Sequence, residues 1–347
     1  MAENYANANL RNENFSGADL EGADFSGAVL YNTNFIEAKL RDSKFRNADL
    51  KWADLIAADG MEADFSGADL RNANLKDSNF RKADFNEANL NEANLSDATL
   101  WDANFRKANL TDADLHGADL LSANLSNANL SNANLTNADL READLTDANL
   151  KGARLNSADL RKATLMDANL KGVDLMNADL REIHSNDANF RSAYLDNADL
   201  RGAYLRDADF KDASLKGADL RYADLRGADL TGIRYDEYTI GLAPFCPMEG
   251  SFIAYRKAQD KIIVLEILAD AKRSSGTSFK CRCNKAKVLR IEELDGSPAE
   301  TNTVEDDYVY TVGEITVADS FDKDRWNEDT GIDFFIAREM ALIYKKE

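Results

Sequence analysis

The sequence predicts an all-β solenoid over residues 1–240, about 11 coils of 20 residues, followed by a small α+β or mainly-β domain over residues 241–347. Three observations carry this reading. A five-residue period runs from Leu10 to Leu230 without losing register, like side chains recur every 20 residues, and after Gly241 the composition changes to β-branched and charged residues.

Of the 45 positions in that stretch whose number is divisible by five, 43 hold Leu or Phe. The exceptions, Gly60 and Ser185, leave the register intact, so no loop interrupts the array. The position two before is Ala in 39 of the 45, and the residue between is mostly Asp or Asn. A period of five is neither that of a helix nor that of a strand. Within one unit, however, Ala and Leu stand two apart and point to the same side, as on a strand. The other two residues are polar or small, often Gly, and suit a turn. Each unit is therefore a very short extended piece and a corner.

Recurrence gives the coil length, because stacked coils place equal phases above one another. Phe25, Phe45, Phe65, Phe85 and Phe105 are spaced by 20, with Tyr5 in the same column, and Phe190 and Phe210 form a second stack. Arg141, Arg161, Arg181, Arg201 and Arg221 repeat at the same interval on the outside, each two residues after an Asp. Gly60 is followed 20 residues later by Phe80, a ring placed to fill the space of an absent side chain. Four units make one coil.

At the end of the array, Ile233, Tyr235, Tyr238 and Ile240 continue the inward phase with larger side chains. This predicts a last coil packed against a cap, since an open solenoid end exposes core and strand edge. Beyond it, residues 251–256, 261–268, 286–294 and 308–317 read as strands, 295–307 as a polar loop and 336–346 as an amphipathic helix.

The repeating unit resembles that of the pentapeptide-repeat family, over about two thirds of the chain. The resemblance implies a right-handed, four-sided β-helix with Leu, Phe and Ala inside. The C-terminal part is similar to an uncharacterised domain that follows pentapeptide repeats in some phage and bacterial proteins. The matching stretches are Cys246–Phe252, Ala271–Ser275, Lys280–Arg282 and Gly331–Phe335, with Asp333 where that domain commonly has His.

A net charge of -20 and a pI near 4.6 argue against electrostatic binding to nucleic acid or anionic lipid and leave a basic protein partner open. No apolar run approaches the ~18 residues of a membrane helix, and residues 1–5 have neither the basic nor the apolar region of a leader. Three cysteines are too few for a disulfide scaffold. These features predict a cytoplasmic protein with no membrane association, no cofactor, no metal and no catalytic residues. Both histidines, His116 and His184, lie in the repeat, so the C-terminal domain has no His to serve as a base for a Cys nucleophile. Cys246, Cys281 and Cys283 lack the paired spacing of a zinc site.

The candidate surfaces are outward apolar pairs and one basic cluster. Trp101 and Leu121 share a column, as do Ile36 and Ile56, while Tyr194 and Tyr204 replace the usual Asp or Asn. Lys272, Arg273, Lys280 and Arg282 concentrate positive charge around two expected loops. The reading is a structural or protein-interaction protein with an unknown, basic or phage-related protein partner. Two alternatives stand beside it: a DNA-mimicking gyrase-binding protein, which the family resemblance allows, and an enzyme with an unidentified site in the C-terminal domain.

Overall fold

The structure, a computed structural model, describes residues 3–236, 238–241, 250–275, 281–299, 301–305, 308–321, 331–336 and 341. It divides into two compact units, Met1–Thr239 and Ile240–Glu347.

In the first unit every repeat makes one corner and one isolated parallel bridge to the residue 20 positions on, from Asn4↔Asp24 to Ser214↔Arg234. The corner after Phe45 shows the construction. The Ala48 N–H donates to the Phe45 carbonyl at 3.0 Å, and Asn47 takes φ 53°. Left-handed backbone is cheapest for Gly and tolerable for Asn and Asp, which explains the polar and glycine content of that position. The Phe45 N–H donates to Asp64 in the following coil at 2.7 Å, and the Asp49 N–H donates to Ala28 in the preceding one at 2.9 Å. Asp or Asn precedes the central residue because its side chain caps the corner: Asp64 Oδ1 accepts from the Ser66 N–H at 3.0 Å, and Asn34 Oδ1 from the Ile36 N–H at 2.9 Å.

The interior is closed to water by the Ala and Leu/Phe columns, whose side chains are essentially fully buried from Leu20 to Leu225. Successive rings of the long aromatic column stack nearly parallel, 4.8 Å apart from Phe85 to Phe105 and 4.6 Å from Phe45 to Phe65. Each buried Leu or Phe is worth roughly 1.5–3 kcal/mol against exposure. Both exceptions in the central column are compensated. A Cβ on Gly60 would run into Cε1 and Cδ1 of Phe80, whose ring fills that space edge-on to Phe65 and Phe85. Ser185 follows Ile183, which puts the larger side chain in the Ala column and the smaller one in the Leu column; both are buried. Thr33, Ser43 and Ser78 occupy Ala positions and stay satisfied by donating to the carbonyls of Leu10, Leu40 and Leu75.

The five-residue register slips at the last coil. Tyr235 and Tyr238 are 51% and 69% exposed, Ile240 is exposed and Ile233 only half-buried. The corner closes from the Thr239 N–H to the Asp236 carbonyl at 3.1 Å, one residue later than the period requires. This slip turns Thr239 inward instead, where its Oγ1 donates to the Leu215 carbonyl at 2.8 Å.

In the second unit the described residues form nine strands: β1 Phe252–Ala258, β2 Lys261–Ile267, β3 Arg273–Ser275, β4 Cys281–Cys283, β5 Lys285–Glu293, β6 Asn302–Glu305, β7 Tyr308–Thr311, β8 Ile315–Val317 and β9 Ile332–Phe334. They make antiparallel sheets in the orders β1-β2-β5-β8, β3-β4-β9 and β6-β7. Ile262 to Leu265 and Ile267 are buried on both faces of β2, so the strand is central. The expected loop at 295–307 contains β6. The expected strand at 308–317 is two, because Gly313 at φ 90° and a Glu314 N–H to Thr311 carbonyl bond of 3.0 Å turn the chain between β7 and β8. The helix expected at 336–346 lies outside the described residues except for Ile336 and Ala341. Among the described residues no helix is long and apolar enough to cross a membrane.

Candidate protein-interaction surfaces

The 20-residue coil turns the exterior into columns, and ion pairs fill one of them. Arg161 forks onto Asp159, Nε to Oδ1 at 2.9 Å and Nη2 to Oδ2 at 2.6 Å, and also reaches Asp179 of the next coil at 3.5 Å. Arg141, Arg181 and Arg201 repeat this geometry, and Arg221 forks onto Asp219. Burial raises the Asp159 carboxyl, but hydrogen bonds from the Arg161 side chain and backbone outweigh it and hold its pKa below the ordinary value. The same balance holds Asp199 and Asp219 low. The bond to Asp139 in turn raises Arg141. The column neutralises itself, and exposed pairs of this kind contribute little individually.

Trp101 and Leu121 continue that same column toward the N-terminus and are half-buried, with the Arg81 guanidinium 4.2 Å from the Trp101 ring centre. Ile36 and Ile56 share another corner column and are also half-buried. Tyr194 and Tyr204 are not brought together: they stand two units apart in a four-unit coil, on opposite faces, and Tyr204 stacks on His184 at 4.6 Å.

One residue was not anticipated. Trp52 sits at the left-handed corner position with φ 60° and is 54% exposed. Positive φ is a genuine outlier for so bulky a residue. Its corner column also borders Tyr31, which is exposed and lies under Arg11, and the next corner carries Ile36 and Ile56. Between the two corners runs the strip bearing Asn34 and Asp54. The readable signal was an aromatic residue in a column otherwise favouring Gly, Asn and Asp. Tyr222 is a second instance, with φ 63° and 89% exposure.

The expected basic cluster in the second unit dissolves. Arg273 and Arg282 are 3% and 1% exposed. Arg273 Nη2 donates to the carbonyls of Gly250 and Leu268, each at 2.5 Å, with its guanidinium 5.3 Å from the Phe252 ring. Arg282 is the middle residue of β4, the central strand of its sheet, between Ser274 and Asp333. Lys272 is exposed, Lys285 pairs with Asp270 at 2.6 Å, and Lys280 lies outside the described residues. Cys281 and Cys283 are buried thiols, and Cys246 lies outside the described residues. Tyr310 is fully buried and burial raises its hydroxyl well above the ordinary value.

The pentapeptide repeats (8 copies) match residues 6–35, 33–59, 61–97, 88–121, 123–161, 143–182 and 193–232, with a gap around Ile183 and Ser185. A family of unknown function (DUF5758) matches residues 242–341. Among solved structures, the chain is similar to HetL, a pentapeptide repeat protein involved in heterocyst differentiation regulation in the cyanobacterium Nostoc, at 33% identity over 67% of this chain and 87% of HetL, with a TM-score of 0.26. It is similar to Rfr23 of the cyanobacterium Cyanothece at 35% identity over 28% of this chain and 63% of that one, TM-score 0.18. It is also similar to QnrB1, a plasmid-mediated fluoroquinolone resistance protein, at 19% identity over 66% of this chain and 92% of QnrB1, TM-score 0.28. No curated protein matches the chain.

Proposed function

Because this chain belongs to the pentapeptide-repeat family, we propose that it is a non-catalytic protein-interaction rod, a right-handed four-sided helix whose partner docks on the corners bearing Tyr31, Ile36, Trp52 and Ile56. The observation that carries the reading is Trp52, exposed and held at positive φ. A strained, bulky residue at a corner costs stability there, and such strain concentrates at functional positions. Trp is also the side chain most enriched at binding hot spots. Stacked coils hold the surrounding corners rigidly, so little ordering is needed on docking. Residues 1–140 carry 12 basic and 23 acidic side chains. The expected partner is therefore a protein with an apolar anchor inside a basic rim.

The test is Trp52→Asn in the full chain. It should keep or slightly raise thermal stability, because Asn suits the left-handed corner, while a partner captured by the wild-type chain is lost. Tyr222→Asn should keep that partner. Equal capture by Trp52→Asn, or a fall in its stability, would overturn the assignment.

A further inference from the structure

On a different face of the solenoid, residues 147–211 carry three parallel stripes. Asp147, Asp167, Asp187 and Asp207 occupy successive left-handed corners at one edge and are all exposed. Lys151, Lys171, Arg191 and Lys211 occupy the next corner at the other edge. Between them runs an asparagine ladder in which Asn149, Asn169 and Asn189 each donate to the Asn of the preceding coil, at 3.1, 2.9 and 3.4 Å. The ladder explains why Lys151 and Lys171 stay uncompensated, whereas Arg191, with Asp209 in the next coil of the column, is paired. Where this column holds Asp, as at Asp49, Asp69 and Asp209, it takes up Lys51, Arg71 and Arg191. Where it holds Asn, no carboxylate is at hand, and Lys151 and Lys171 make no ion pair among the described residues. The four aspartates of the acidic edge make none either.

We propose that this face binds a second copy of the chain, side by side and parallel. The stripes themselves select that arrangement. A two-fold axis parallel to the coil stack exchanges left and right at equal height, so each acidic edge meets the partner's basic edge and ladder meets ladder. An antiparallel pairing would set acid against acid. Closed two-fold pairing of one surface with itself is the commonest form of homo-oligomer. The coils before this segment extend the face with neutral Asn89, Thr111, Asn129 and Ser131, and in their acidic-edge corner column Lys107 is paired with Glu87 at 3.4 Å. The ladder's side chains are already pinned by their own hydrogen bonds, so they lose little freedom on docking. The Arg–Asp column cannot serve in this way, because its charges are spent within the chain. The inference does not depend on Trp52, which lies several coils away.

Sedimentation velocity of the full chain tests it. The chain should sediment as a dimer at about 20 mM salt and as a monomer at about 0.5 M, where screening acts over a few ångströms. One variant reverses the acidic edge (Asp147→Lys, Asp167→Lys, Asp187→Lys, Asp207→Lys), and the corner tolerates this because Lys82, Lys107 and Lys162 already adopt its positive φ. A second reverses the basic edge (Lys151→Asp, Lys171→Asp, Arg191→Asp, Lys211→Asp). Each alone should be monomeric at low salt, and an equimolar mixture should recover the dimer, which an unfolded variant could not do. A wild-type monomer at low salt, a dimer that survives either reversal, or a mixture that stays monomeric would each overturn the proposal.

Discussion

Gly60 and Ser185 break the same rule and are repaired differently. At Gly60 a neighbouring coil supplies the missing volume through Phe80. Gly60→Leu should therefore destabilise by about 1–3 kcal/mol through overpacking, and the Phe80→Leu background should recover part of that loss in a double-mutant cycle of denaturation midpoints. At Ser185 the repair is within the unit, through Ile183, and it leaves a buried Ser185 hydroxyl without a hydrogen-bond partner. Ser185→Ala should be neutral or stabilising by up to about 1 kcal/mol, because the desolvated hydroxyl is removed. Leu155 has no such latitude. Fully buried between coils, it should cost several kcal/mol as Lys, an ammonium without a counter-charge. An unchanged melting temperature for Leu155→Lys would contradict the inward phase.

At the scale of elements, the Arg–Asp ladder makes a pH prediction. Asp159, Asp199 and Asp219 have folded-state pKa values below the ordinary carboxylate range. Their contribution is present above about pH 4, the unfolded value, and is lost as pH falls through the lower folded values. Denaturation midpoints at low salt should hold from neutrality to pH 5 and drop below pH 4 (roughly, on that reference), with a smaller drop in high salt because the pairs are exposed. The ladder and the solenoid were legible in the sequence because a strict period fixes each residue's phase, and even the Gly60–Phe80 compensation shows as a spacing of 20. What was not legible has local causes. Asp236 accepts from the Gly217 and Tyr238 N–H groups and delays the last corner by one residue, a matter of hydrogen bonding that periodicity does not carry. β3, β4 and β9 are three residues long, too short for alternation to declare itself. Arg282 looked like loop charge for that reason, although it lies inside a sheet. Trp52 has no like residue 20 positions away, so recurrence does not mark it, and its meaning comes from the backbone conformation of its corner.

At the scale of the molecule, the polar outer faces of the first unit suit the display role proposed for it. Its charges are organised by face rather than spread as a uniformly negative surface: an Arg–Asp column neutral in itself, a dipolar face over residues 147–211, and an acidic excess over residues 1–140. A duplex mimic needs continuous negative potential, so purified protein should leave DNA gyrase supercoiling uninhibited. Sub-micromolar inhibition abolished by neutralising acidic residues of the first seven coils would favour the mimic instead. Site-specific photo-crosslinking tests whether partner recognition is anchored at the Trp52 corner, as proposed. A crosslinking residue at position 52 should capture a discrete partner other than a second copy of this chain, and one at position 132, the equivalent corner four coils away, should not capture that partner. Equal capture from both positions, or from 132 alone, would contradict the account.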